Sequence, residues 1–155
     1  MKLIPIKKEL EENQEFIGNP LCQDSLSITI EFFKRIGFVP PWIGYYVELN
    51  DQLVGSAAFK GQPVNGKVEI AYGTMESFRN QGIGTQICKK LVELSLKTDR
   101  SIIVTARTLP ENNFSTKILK KNNFVFIGTV NDPEDGEVWE WEYRGSKTDS
   151  IIQLS

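Results

Sequence analysis

The order of elements written into this chain predicts an α/β sandwich in which helices cover the faces of a mixed sheet. Three observations carry that expectation. Two hairpin signals follow one another between residues 45 and 72, and a glycine-bearing loop then leads into a helical stripe. A last pair of strand-like runs flanks a loop dense in turn residues. The length of 155 residues and mass of 17.6 kDa suit one domain. We place that domain at residues 1–144, with Gly145 to Ser155 as a C-terminal tail.

Residues 8–36 are expected to be helical. Within them Leu26-Ser27-Ile28-Thr29-Ile30 alternates like a strand, while Ile28, Phe32 and Ile36 recur at helical spacing, so both readings stay open there. Pro40-Pro41 ends the segment. Tyr45–Leu49 and Leu53–Phe59 are strand-like runs joined by Asn50-Asp51-Gln52, the length and chemistry of a hairpin. Asn65-Gly66 is the turn signal of the next hairpin, which leads into Lys67–Tyr72.

From Ile83 the apolar residues fall at Ile83, Ile87, Leu91 and Leu94, about three helical turns opened by Gly82 and Gly84. Ser101–Ala106 is a β-branched run, read as a buried strand reached by a parallel crossover. Phe114, Ile118 and Leu119 set a helix over residues 112–121. Phe124–Ile127 and Val138–Tyr143 then bracket the turn-rich Asn131–Gly136, with Trp139, Trp141 and Tyr143 on one face and Glu140 and Glu142 on the other.

Composition narrows the chemistry. With 18 Lys and Arg against 20 Asp and Glu, the net charge is −2, without the basic excess that a nucleic-acid backbone calls for. There is no histidine, so histidine-based triads and His-rich metal sites are excluded, and proton transfer falls to Glu, Asp, Tyr, Lys, Cys or water. No metal site is expected. Cys22 and Cys88 stand alone and are read as reduced core residues. No apolar run reaches the ~18 residues that span a bilayer, and the start is too charged for a signal peptide, so a cytoplasmic protein without a membrane partner is expected.

Arg79-Asn80-Gln81-Gly82-Ile83-Gly84-Thr85 lies between a strand and a helix start. Free N–H groups of a first helical turn, with the positive end of the helix dipole, form an anion site. Glycines let an anion come within hydrogen-bond distance of the backbone, and Arg79 adds a charge for a diphosphate. A Walker loop fails here because no Lys follows Gly84, and a dinucleotide fingerprint fails because Ile87 stands where a third glycine is needed.

Arg79-x-x-Gly82-x-Gly84 resembles the pyrophosphate-binding signature of the GCN5-related N-acetyltransferase (GNAT) superfamily. Val68–Gly73 followed by Phe78–Thr85 is similar to a stretch of its RimJ/RimL-like group. Asn112–Phe124 and Asp135–Trp141 resemble two further stretches of that group, so the likeness runs over about residues 40–144. Two departures stand out: Asn123 replaces a glycine, which a left-handed turn tolerates, and Leu119 replaces a tyrosine that serves some relatives as general acid.

The resemblance implies a mostly antiparallel sheet of six to seven strands, helices on both faces and a central β-α-β unit for acetyl-CoA. It implies acetyl transfer from acetyl-CoA to a primary amine, on a small molecule or a protein N-terminus, by direct attack; a non-catalytic acyl-CoA-binding module is the alternative. A homodimer is compatible with it. Glu69 is the candidate base, working through water, or else the anchor of a cross-strand pair. Tyr72 forms a wall of the acetyl pocket, bonds the reacting group or packs in the core. Thr74 and Met75 would pair with the pantetheine arm beside a bulge near Gly73, and Arg79, Asn80, Gln81, Gly82, Ile83, Gly84 and Thr85 would hold the pyrophosphate. Asn112 and Ser115 would contact the pantetheine side, unless Asn112 only caps its helix.

Overall fold

The computed structural model describes residues 1–145, so the proposed tail lies, but for Gly145, outside the described residues. Seven strands form one sheet: β1 (Lys2–Pro5), β2 (Gly44–Leu49), β3 (Gln52–Phe59), β4 (Lys67–Thr74), β5 (Ile103–Thr108), β6 (Phe124–Asp132) and β7 (Gly136–Tyr143). Their order is β1-β2-β3-β4-β5-β7-β6. Every pairing is antiparallel except β4 with β5, which helix α2 (Ile83–Thr98) joins as a parallel crossover. No helix among the described residues is long and apolar enough to cross a membrane.

Both early hairpins close as their turn residues dictate. Asn50 and Asp51 have φ of 52° and 63°, and Asn65 and Gly66 have 53° and 77°, the left-handed pairs that match the twist of two-residue loops. β1, which pairs with β2 at the sheet edge, was not foreseen, because a four-residue strand leaves too little periodicity to read.

The long N-terminal helix is corrected to α1 (Gln23–Ile36) alone. Upstream, Asn13 is 1% exposed and its side chain accepts from Lys7 N (2.8 Å) and donates to the carbonyls of Lys7 (3.1 Å) and Glu9 (2.8 Å). Such bonds draw the backbone into turns in place of a helix. The ambiguous stretch is helix, but its buried face is Leu26, Ile30 and Phe33, while Ile28 is 69% exposed. The helix stops at Gly37 (φ 99°), three residues before the prolines.

α1 covers one face of the sheet and α2 the other. A side chain at Gly44 would meet Thr29 and Phe33 of α1, whereas one at Gly55 would meet Ile87 of α2. Helix α3 (Phe114–Lys121) lies on the α2 side, where Gly84 approaches Ile118. Tyr46, Phe59, Ile87, Leu91 and Leu119 are the bulkiest fully buried residues, and Cys22 and Cys88 are free and fully buried, as expected for core thiols.

The feature that positions a site is a parting in the sheet. β4 pairs with β5 from Lys67↔Ile103 to Ile70↔Ala106 and no farther, although β4 continues to Thr74 beside β3. The expected bulge near Gly73 is not what opens it: Gly73 keeps unbroken register with Ser56. The strands diverge because β5 stays with β7, pairing Arg107↔Glu140 and Thr108↔Trp139.

At Gly55 an added methyl would overlap the Gly73 carbonyl oxygen and stand 2.9 Å from Ile87, whereas at Gly73 it would meet Ser56 at 3.8 Å. Gly55→Ala should cost about 3 kcal/mol and Gly73→Ala under about 1 kcal/mol, read from denaturant midpoints.

Candidate functional site

Antiparallel pairing alternates between residues that exchange hydrogen bonds with the neighbour and residues whose polar groups face away. Met75 N donates to Val54 O (2.8 Å) and Lys60 N to Glu69 O (2.8 Å), which sets the alternation along β3 and β4. Ile70, Tyr72 and Thr74 therefore turn their N–H and C=O groups toward β5. Ile70 finds β5; Tyr72 and Thr74 face the parting. A ligand lying there as an added strand would meet the backbone of Thr74, but not the N–H of Met75, which Val54 already holds.

Beyond Thr74 the chain makes a 3₁₀ turn at Glu76–Phe78 and then the loop into α2. Asn80 (φ 65°) and Gly82 (φ 74°) are left-handed, and Gly82 is the N-cap residue of α2. The first intrahelical bond runs from Gln86 N to Gly82 O (3.3 Å), so the N–H groups of Ile83, Gly84 and Thr85 point out of the helix end. A side chain at Gly82 would meet no protein atom within 4 Å: the space over the helix end is open, as an anion requires. Gly84 serves packing, since a methyl there would stand 2.8 Å from Ile118.

Parting and helix end open into one groove of about 780 Å³. Of the predicted residues Tyr72, Thr74, Arg79, Asn80, Gly82, Ile83, Gly84, Thr85 and Ser115 line it. Gln81 is exposed in the same loop without lining it. Asn112 lines a separate cleft with Phe126 and Trp139 and does not cap α3. The cap is Asn113: its side chain accepts from Thr116 N (3.1 Å), and its N–H donates to Thr116 Oγ1 (3.0 Å).

Phe114, Lys117, Ile118 and Lys121, none of them among the residues expected at the site, line one wall of the groove. The i, i+3, i+4, i+7 spacing was the signal available. Asn122 was not among them either; its side chain donates to Thr85 O (3.1 Å) and ties α3 to the first turn of α2. Asn123 takes the left-handed φ of 64° expected of a glycine replacement.

Tyr72 faces α2, beside Cys88. Burial is the main cause that pushes the phenol far above its usual range, with Cys88 adding to it, and burial pushes the Cys88 thiol up to about 12. Both groups stay neutral. Glu69 lies on the opposite face of the sheet, outside the groove, one residue before the last β4–β5 pair. Its Oε2 is 2.9 Å from Lys60 Nζ and its Oε1 3.8 Å from Arg107 Nε.

The structure thus holds a β-α-β unit whose strands part beside an open helix N-terminus, a shape that suits an extended ligand ending in an anion. Residues 6–125 match the acetyltransferase (GNAT) domain family, and the chain belongs to that family. Over 77 residues it is 34% identical to the uncharacterized N-acetyltransferase YjdG of Bacillus subtilis (strain 168), a match that spans 49% of this chain and 46% of that protein. Among solved structures it resembles RimL, the ribosomal L7/L12 alpha-N-protein acetyltransferase in complex with coenzyme A (20% identity, 77% of this chain and 69% of that one, TM-score 0.61). It also resembles the aminoglycoside acetyltransferase AAC(6')-Ib bound to coenzyme A and kanamycin (22%, 73% and 71%, TM-score 0.59). At these identities the structural likeness concerns the fold.

The cap assignment is testable. Asn113→Ala should lose about 1 kcal/mol of stability in denaturant melts, and Asn112→Ala less than about 0.5 kcal/mol.

Proposed function

We propose that the chain is a cytoplasmic, acetyl-CoA-dependent N-acetyltransferase acting on a primary amine, with residues 1–144 as its one functional unit. The observation that carries this reading is the continuity of the groove from the backbone edge of Tyr72 and Thr74 to the exposed N–H groups of Ile83, Gly84 and Thr85. A pantetheine arm fits the first as an added strand, and a pyrophosphate fits the second. Arg79 supplies charge at the diphosphate, and Ser115 faces the arm from α3. Two free, buried thiols suit a reducing compartment.

In the proposed reaction an amine nitrogen attacks the thioester carbonyl carbon, so that an N–C bond forms while the C–S bond breaks. Backbone donors along the parting favour the oxyanion that develops. The proton shed by the nitrogen passes through water to Glu69, reached from the sheet face opposite the coenzyme. Tyr72, held neutral by burial, forms a wall and donates a hydrogen bond, and the thiolate takes its proton from solvent. Leu119 is 1% exposed and carries no acid. That residue favours the second reading, a binder of acyl-CoA without turnover.

Thiol release from acetyl-CoA in the presence of diverse primary amines separates the two. An enzyme should turn over at least one amine; Glu69→Gln should then lower kcat by about 10²-fold with coenzyme affinity unchanged. Gly82→Val should weaken coenzyme binding by about tenfold or more in calorimetry, because its side chain would fill the open helix end. Binding without release for every amine would leave the non-catalytic reading.

A further inference from the structure

Glu69 does not stand alone on its face of the sheet. Arg107 is the first residue of β5 beyond the last β4–β5 pair, so it sits at the lip of the parting, held in the sheet by Glu140 of β7 on one side only. Its guanidinium reaches in two directions. Nε lies 3.8 Å from Glu69 Oε1 across the start of the gap, and Nη1 donates to Asp132 Oδ2 at 3.0 Å. Asp132 is itself immobilised at the end of β6, where Oδ1 accepts from Glu134 N (2.8 Å) and Asp135 N (3.1 Å). Those two backbone donors, then Arg107, hold its carboxyl down at about 2. The two oxygens of Asp132 thus have separate duties: one closes the hairpin turn, the other fixes Arg107.

We propose that Arg107, anchored by Asp132, is the positioning residue for Glu69, tying the proton acceptor to the mouth of the parting. This rests on the acetyltransferase reading above. Lys60 occupies Glu69 Oε2, so the tie determines where Oε1 points. A planar fork suits that task better than a flexible ammonium, because it engages two carboxylates at once in fixed geometry. The charged groups around Glu69 are Lys60 after β3, Arg107 on β5, Asp132 on β6, and Glu140 and Glu142 on β7 opposite Arg107 and Thr105. Arg35 of α1 meets the same hairpin at Glu134 (3.9 Å).

Asp132→Asn is the sharpest test. An asparagine can keep Oδ1 on the turn while placing an NH₂ group against the guanidinium, which removes the anchor and spares the hairpin. Removing a cation beside a carboxylate disfavours its charged form, and a base acts when deprotonated, so the acidic limb of kcat/KM must move to higher pH. In Arg107→Met we expect kcat to fall about 10²-fold with the KM for acetyl-CoA unchanged, and that limb to move to higher pH. Asp132→Asn should shift kcat the same way, and Arg107→Lys should restore the limb but not the rate.

Carbon-13 NMR titration of the Glu69 carboxyl, assigned by its loss in Glu69→Gln, reads the tie without turnover. If the Glu69 titration and kcat are unchanged in Arg107→Met, the proposal is overturned. If the titration moves while the wild type acetylates no amine, the tie stands and the enzymatic reading falls.

Discussion

The site depends on one shortfall in hydrogen bonding: β4 is eight residues long, but β5 accompanies only its first half. Backbone polar groups must be paired or hydrated, and those of Tyr72 and Thr74 are paired with neither neighbour strand. They form an edge inside a sheet, with none of the charges or prolines that normally blunt an edge against other strands. An extended ligand with amides of its own would complete the ladder. What keeps the gap open is the rest of the sheet, since β3 grips β4 in unbroken register and β7 pulls β5 aside. The cost of Gly55's contact with the Gly73 carbonyl shows how little room the grip leaves.

The sheet also divides the work between its faces. Strict alternation along β4 sends Val68, Ile70 and Tyr72 toward α2 and Glu69 toward the face that α1 shares. The same alternation on β7 puts Trp141 over Ala106 and leaves Glu140 beside Arg107, while Glu142 pairs with Arg144 (3.1 Å). One side is thus apolar where an arm would lie, with charge kept to the loop and the α3 wall; the other carries the ion-pair chain. In the proposed reaction an amine and a coenzyme would then meet from opposite sides of the sheet without competing for space.

Elements with strong local chemistry were legible in the sequence: the Asn-Asp and Asn-Gly turns, the α2 stripe, the parallel crossover, the glycine loop and the split faces of β7. What escaped it depended on distant partners. Residues 8–22 have helix-like composition, but the inward turn of Asn13 is decided by the carbonyls it finds at Lys7 and Glu9. Asn112 and Asn113 are chemically identical neighbours, and only the reach of Thr116 tells which one caps. Spacing left residues 26–30 open between strand and helix, because Ile28 and Ile30 are both apolar and the sheet beneath decides which of them is buried. Glu69 was readable as a carboxylate on a strand before the loop, while its cationic neighbours come from β3 and β5.

Without histidine, the proposed reaction must move a proton from an amine whose ordinary pKa is about 10.4, and at neutral pH freeing that nitrogen costs roughly 4–5 kcal/mol. In the proposed reaction Glu69, held between Lys60 and Arg107, would meet that cost through position: a fixed acceptor beside the reacting nitrogen converts a chance encounter with water into an ordered transfer, worth about 10²–10⁴ in rate. In the proposed reaction the backbone donors that hold Asp132 would therefore belong to the proton path along with Glu69, since a guanidinium free to swing would leave Oε1 without a set direction.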